Sequence, residues 1–240
     1  MKEKTLKSGS KKSKIAEPVS IVAHQLKNPI SVLNGYLEVL ISEEIGKLNE
    51  KQKEYLNDAL KNVELMSKIV KDILDVSRIE GKEYKMEPQP VDLVKITEKI
   101  VGDFSLWAKA SNCQIIFKKP SKIPLAYVDP SKIYYVIENL ISNAVFYKSS
   151  APGKIEITIE KKEGKVLFVC KDNGIGIPHD DLKKVFSKFY RSEAAISLYS
   201  SGTGLGLYIG KAIVELSGGK IWFETNKNKG TTFCFSLPAV

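Results

Sequence analysis

From Ile15 onward, apolar residues recur at Ile15, Val19, Val22, Leu26, Ile30, Leu33, Leu37 and Leu40. Steps of four and three predict an amphipathic helix with a coiled-coil-like seam. Two successive steps of four, Val22 to Leu26 and Leu26 to Ile30, interrupt the alternation as a stutter does. Pro29 falls there, and its missing N–H cannot reach the Gln25 carbonyl, so a bend is expected. After the polar break SEEIGKLNE a second series runs Gln52, Tyr55, Ala59, Asn62, Met66, Ile69, Ile73 and Val76, flanked by Leu56, Leu60, Val63, Val70 and Leu74. It predicts a long helix with a wide apolar face. Two such helices joined by a short turn carry more apolar surface than they can hide from each other. Pairing of two hairpins into a four-helix bundle is the expected remedy, and with it a homodimer.

The pattern changes after Gly81, at Pro88 and Pro90. A helix over 91–109, strands near QIIFKK and PLAYVD, and a helix opening at Pro130 with Asp129 as N-cap are predicted in turn. GKIEITIEKKEGKVLFVCKDNG reads as strand, turn, strand and glycine-rich loop. A helix from Leu205 to Leu216 and two strands, KIWFET and TTFCFSL, complete the chain. The predicted fold class is α plus α/β: an antiparallel helical hairpin over 15–81, then an α/β sandwich over 82–240 with a mixed sheet and helices on one face. Residues 1–14 read as a flexible basic tail.

Composition narrows this further. The chain has 240 residues, 43% hydrophobic and 27% charged, which fits globular domains and excludes wholesale disorder. The net charge of +9 divides unevenly, with +5 in residues 1–14, −3 in the hairpin and +7 in the remainder. That patchiness, with no basic and aromatic interleaving on one element, argues against a nucleic-acid partner. Cys113, Cys170 and Cys234 have neither disulfide-framework nor zinc-ligand spacing. No stretch is apolar for long enough to span a membrane and no apolar leader precedes the first helix, so a cytoplasmic chain without membrane contact of its own is expected.

Four segments carry candidate chemistry. His24 in AHQLKNP should face solvent, with Gln25 and Asn28 nearby, as a neutral imidazole nucleophile one turn before the proline. ENLISNA sets Asn139 and Asn143 four apart on one helical face, where amide carbonyls can hold Mg²⁺ beside phosphate oxygens, although ordinary surface asparagines look the same. DNGIGIP ends a strand in Asp172, able to accept from an exocyclic amine such as that of adenine, while Gly174 and Gly176 let backbone approach a flat ring; a plain tight turn is the alternative. GTGLGL (Gly202, Thr203, Gly204, Leu205, Gly206, Leu207) opens a helix whose free N–H groups suit a triphosphate, and it matches neither GxGxxG nor a P-loop.

In this order the segments resemble the core of the sensor histidine kinases of two-component systems, over residues from about 15 to 240. AHQLKNP is similar to the H-box, ENLISNAVFYK to the N-box, DNGIGIP to the G1 box, FSKFYR to the F-box and GTGLGL to the G2 box, with GTTFCFSLP as closing strand. The resemblance implies a dimeric hairpin bearing the phosphoacceptor and a Bergerat-type ATP-binding domain. It implies that ATP phosphorylates His24, that Asp172 contacts adenine, that Asn143 coordinates Mg²⁺ with Asn139 beside it, and that Tyr147 lines the pocket. Lys148 joins the nucleotide-binding set. Arg191 would meet the γ-phosphate, and residues 192–201 would form a lid. The phosphoryl group would pass to an Asp of a response regulator receiver domain, which the protein would also dephosphorylate.

Several residues depart from the family pattern. The usual acidic residue after the His is Gln25, which can orient the imidazole but cannot take its proton. Asn28 retains an amide that can orient water for dephosphorylation. Phe146 stands where a cation is frequent, Lys188 is a tolerable variation, and His179 reads as a turn residue. Related ATPases carry a Glu at the place of Asn139, so the amide there favours nucleotide that waits for His24 over nucleotide that is hydrolysed. Gln25 and Phe146 also leave open a kinase-impaired scaffold or a phosphatase-only regulator.

Overall fold

The computed structural model describes residues 16–120, 122–149, 152–199, 202–226 and 229–240, with only the backbone at 16–20 and at 226. The basic tail over 1–14 lies outside the described residues, as do positions 200 and 201 of the lid. The chain divides into two compact units, Met1–Tyr84 and Lys85–Val240.

In the first unit, helix α1 (Ala16–Ile41) continues through Pro29, and α2 spans Glu50–Glu80. Asn49 starts α2 by a reciprocal capping box: its side chain accepts from the Gln52 N–H, and the Gln52 side chain accepts from the Asn49 N–H, both at 2.9 Å. The helices meet through Ala23, Ile30, Val63 and Val70, with Leu37, Ile73 and Leu74 packed around them. Of the seam expected from the sequence, Ile30 and Leu37 take part in this contact, and Ala23 takes the place of Val22. Val22, Leu26 and Leu33 remain 55%, 47% and 48% exposed. The small Ala23 side chain permits close helix approach, so the contact within one chain runs over the 23, 30, 37 stripe. A second apolar stripe is left facing outward. His24, Gln25 and Asn28 are exposed.

The second unit begins with β1 (Gln89–Val91), which pairs antiparallel with β3 (Ala126–Val128). Between them lie α3 (Leu93–Ala110) and β2 (Cys113–Lys118). Helix α3 starts at Leu93, later than expected, because Asp92 accepts from the Val94 and Lys95 amides while residues 89–91 are drawn into strand pairing. Helix α4 (Pro130–Phe146) starts as predicted, on Asp129, with Pro130 at its first turn. Then follow β4 (Gly153–Lys162), β5 (Lys165–Asp172), a 3₁₀ turn (His179–Lys184), α5 (Glu193–Leu198), α6 (Gly206–Leu216), β6 (Lys220–Asn226) and β7 (Gly230–Pro238).

The main sheet has strand order β2-β4-β5-β7-β6, parallel between β2 and β4 and antiparallel elsewhere. Ile155, Ile157 and Ile159 alternate with polar residues along β4, and Val166, Phe168 and Cys170 along β5 share their buried side. Phe168 stacks on Phe235 at 4.8 Å in the middle of this core. Helices α4 and α6 pack on one another and on the sheet, and α3 packs on β2 and α4. Cys113, Cys170 and Cys234 are buried thiols, and burial pushes Cys234 up to about 11, which removes them from thiolate chemistry. Among the described residues no helix is long and apolar enough to cross a membrane.

Candidate functional site

Asp172 ends β5 and is the best-defined feature of the site. Its Oδ1 accepts from the Gly174 N–H at 2.8 Å and from the Thr231 N–H at 3.1 Å. Its Oδ2 has no protein partner among the described residues. Burial holds the carboxyl above the ordinary carboxylate range, and the two amides only partly oppose the shift. The group is therefore half satisfied, with an acceptor to spare.

The loop after Asp172 is pinned along its length. Asn173 accepts from the Lys154 N–H at 2.7 Å and donates to the Pro152 carbonyl at 3.0 Å. Gly174 lies so close to the Tyr147 carbonyl that any Cβ would overlap it, and Ile175 N–H donates to the same oxygen at 3.0 Å. Gly176 follows at φ +67°. These contacts bring the DNGIGIP loop against the C-terminal end of α4.

Asn139 and Asn143 are both half-buried on α4. A Cβ at Gly206 would collide with the Asn139 side chain, so glycine at the first position of α6 is what allows that helix to start beside the amide. No side chain caps α6: Leu205 occupies the N-cap, its own N–H donating to Thr203 Oγ1 at 3.2 Å. The first-turn amides of α6 thus form a positive end suited to anionic groups. Gly204, at φ +69°, runs against the backbone of Phe189 and Tyr190. The N-box, G1, F-box and G2 segments, scattered through the second unit, converge on one place. Tyr147 caps the end of α4, and Lys148 acts on the Cys113 thiol, opposing its upward shift from burial.

Two residues make contacts that their positions in the sequence do not announce. Arg191 donates from Nη1 to the Gly202 carbonyl at 2.9 Å and from Nη2 to the Ala195 carbonyl at 3.1 Å, with Nη2 also on the Tyr199 carbonyl. Its guanidinium clasps the backbone at Ala195, Tyr199 and Gly202. Phe146 stacks on Tyr199 at 3.9 Å and 17°, and meets Trp107 edge-on at 4.7 Å. The aromatic at the place expected to hold a cation therefore packs on Tyr199, just past α5. Sequence reasoning missed Tyr199 and Trp107 here. Only Tyr199, inside the lid segment, had a neighbourhood to signal it. His179 is an exposed residue at the start of the 3₁₀ turn.

Known proteins match both units. Residues 16–82 match the family described as His Kinase A (phospho-acceptor) domain, and residues 128–240 match the Histidine kinase-, DNA gyrase B-, and HSP90-like ATPase family. A solved catalytic domain of the histidine kinase ThkA is 31% identical over 64% of this chain and 97% of its own, with TM-score 0.56. The chain belongs to the histidine kinases. Sensor histidine kinase WalK of Bacillus subtilis (strain 168) is 34% identical over 92% of this chain and 36% of its own length, so the chain spans about a third of that relative. The structure of ThkA in complex with the response regulator protein TrrA is 28% identical, covers 93% of this chain and 61% of that one, and has TM-score 0.61. This histidine kinase core thus joins a hairpin that matches the phospho-acceptor family to a domain that matches the ATPase family.

Proposed function

We propose that this chain is the catalytic core of a cytoplasmic sensor kinase that binds Mg²⁺–ATP, autophosphorylates on His24 as a homodimer, and passes the phosphoryl group to an Asp of a response regulator receiver domain. The observation that carries the nucleotide part is Asp172, a half-buried carboxylate whose free oxygen is an acceptor for the exocyclic amine of adenine. Gly174 keeps the loop thin enough for the ring. The uncapped start of α6, with Gly202 to Leu207, receives the phosphates, and Lys148 belongs to the nucleotide-binding set. Family matches to kinases along both units favour this over a scaffold that only binds nucleotide.

An imidazole nitrogen of His24 attacks the γ-phosphorus, forming the P–N bond as the bond to the ADP oxygen breaks. The proton on the ring's other nitrogen is lost to solvent, because Gln25 can only hold the tautomer. Asn139 and Asn143 fit a cation of the Mg²⁺ type: amide oxygens supply few ligands, and among the described residues no cluster of three or more acidic, His or Cys side chains competes, leaving phosphates and water to complete the shell. Bound there, Mg²⁺ would neutralise charge on the transferring phosphate. Arg191 reaches that phosphate only by releasing the lid carbonyls. Asn28 would orient water for dephosphorylation of the partner. Dimerisation covers the outward stripe of Val22, Leu26 and Leu33.

Incubation with Mg²⁺ and γ-labelled ATP tests this reading. The chain should take up acid-labile, alkali-stable label, His24→Ala should take up none, and Gln25→Glu should label faster, by up to ~10²-fold. Label retained in His24→Ala would refute the assignment.

A further inference from the structure

Thr225 lies near the end of the edge strand β6, outside every segment that carries the family pattern. Its hydroxyl sits at a crossing of three elements. Oγ1 accepts from the Ile177 N–H of the G1 loop at 3.0 Å, and lies 3.1 Å from both the Gly230 carbonyl and Thr231 Oγ1 at the start of β7. A hydroxyl has one proton and two acceptor sites. If the proton goes to the Gly230 carbonyl, the oxygen takes both the Ile177 amide and the Thr231 hydroxyl; if it goes to Thr231, the Ile177 bond is unchanged. In either arrangement one oxygen ties the far limb of the G1 loop to β7.

That tie bears directly on Asp172. Its Oδ1 is held from two sides, by Gly174 of the loop and by Thr231 of β7. Gly230 packs directly on the Asp172 carbonyl, and a Cβ there would also come within 2.8 Å of Asn173 Cα. The near limb of the loop is anchored by the backbone bond from Ile175 to Tyr147, whereas the far limb is held at Ile177 by the Thr225 side chain. The angle between the two amides that clamp Oδ1, and with it the direction of Oδ2, depends on keeping loop and strand in register.

We propose that Thr225 is a positioning residue for adenine: its hydroxyl locks the G1 loop to β7 so that the free oxygen of Asp172 points at the base. The proposal rests on the ATP reading given above and deepens it. Thr225→Val keeps the shape and removes the hydroxyl, while Thr225→Ser keeps the hydroxyl and removes a methyl. Calorimetric titration of ADP and steady-state autophosphorylation at varied ATP are measured on the full chain for both, with Asp172→Asn in parallel. Thr225→Val should weaken ADP and raise KM for ATP by about 3- to 10-fold, with kcat within about twofold, and Thr225→Ser should stay within about twofold of the parent. Thr225→Ala serves if the Val variant does not fold. Unchanged ADP affinity in Thr225→Val, equal losses in Val and Ser, or a fall confined to kcat would each overturn the proposal. If Asp172→Asn also binds ADP normally, the adenine reading itself has failed; if Asp172→Asn loses ADP and Thr225→Val does not, only the positioning role has.

Discussion

Asp129 at the entrance to α4 and Asp172 at the exit of β5 are both carboxylates withdrawn from solvent in the same unit, and their surroundings drive them in opposite directions. Burial pushes Asp129 up, but four donors outweigh it: Oδ1 accepts from the Ser131 and Lys132 amides and the Ser131 hydroxyl, and Oδ2 from the Glu87 amide. Its carboxyl is held below the usual range. Asp172, half-buried, receives two amides on one oxygen only, so desolvation prevails and its carboxyl is held above that range. A saturated carboxylate fastens a helix to the strand pairing beneath it. A half-saturated one keeps an acceptor for something that is not protein, at some expense in stability.

Exchanging the acceptor breaks this contrast most strongly. In Asp172→Asn, Oδ1 can still take both amides, but the neighbouring atom becomes a donor facing another donor, the exocyclic amine. Adenine-nucleotide affinity should fall by roughly 10- to 100-fold, while the melting temperature of the nucleotide-free protein holds or rises because a poorly compensated charge is gone. A variant that bound ADP normally would remove Asp172 from the site. Asp129→Ala should do the reverse. It loses a helix cap and strands the Glu87 amide, costing about 1–3 kcal/mol, or about 2–4 °C of melting temperature per kcal/mol in a unit of this size. Its ADP affinity should stay within about twofold. The smallest effect is on pH dependence. With its pKa lowered in the fold, Asp129 stabilises above its ordinary value of 3.8 and loses that contribution as pH falls through the folded value. Asp172, raised, stabilises most below 3.8 and loses that contribution as pH rises through its folded value. Melting curves against pH should show the gap between the parent and Asp129→Ala narrowing in acid, and the gap between the parent and Asp172→Asn opening as pH rises above 3.8. Gaps that moved together would contradict the contrast.

The same pair shows which features can be read from a sequence. Asp129 followed by Pro130 announces a helix start within three residues, and DNGIGIP announces a carboxylate before a thin loop, because both depend on near neighbours. The hairpin seam is legible at Ile30 and Leu37, and only its N-terminal step differs, with Ala23 in place of Val22. Ala23 is too small to register in a hydrophobic pattern, and its value lies in the helix approach it permits. Strand β1 is three residues long and exists by pairing with residues more than thirty positions away. The Phe146–Tyr199 stack, the Arg191 clasp and the Thr225 tie, which spans 48 positions to Ile177, are contacts of the folded chain, with no local periodicity to signal them.

A structure of the chain with bound ADP tests the central claim most directly. The account predicts the exocyclic amine within about 3.2 Å of Asp172 Oδ2, with Oδ1 still held by the Gly174 and Thr231 amides and the phosphates at the start of α6. A base seated elsewhere, or Asp172 turned away from it, would contradict the account.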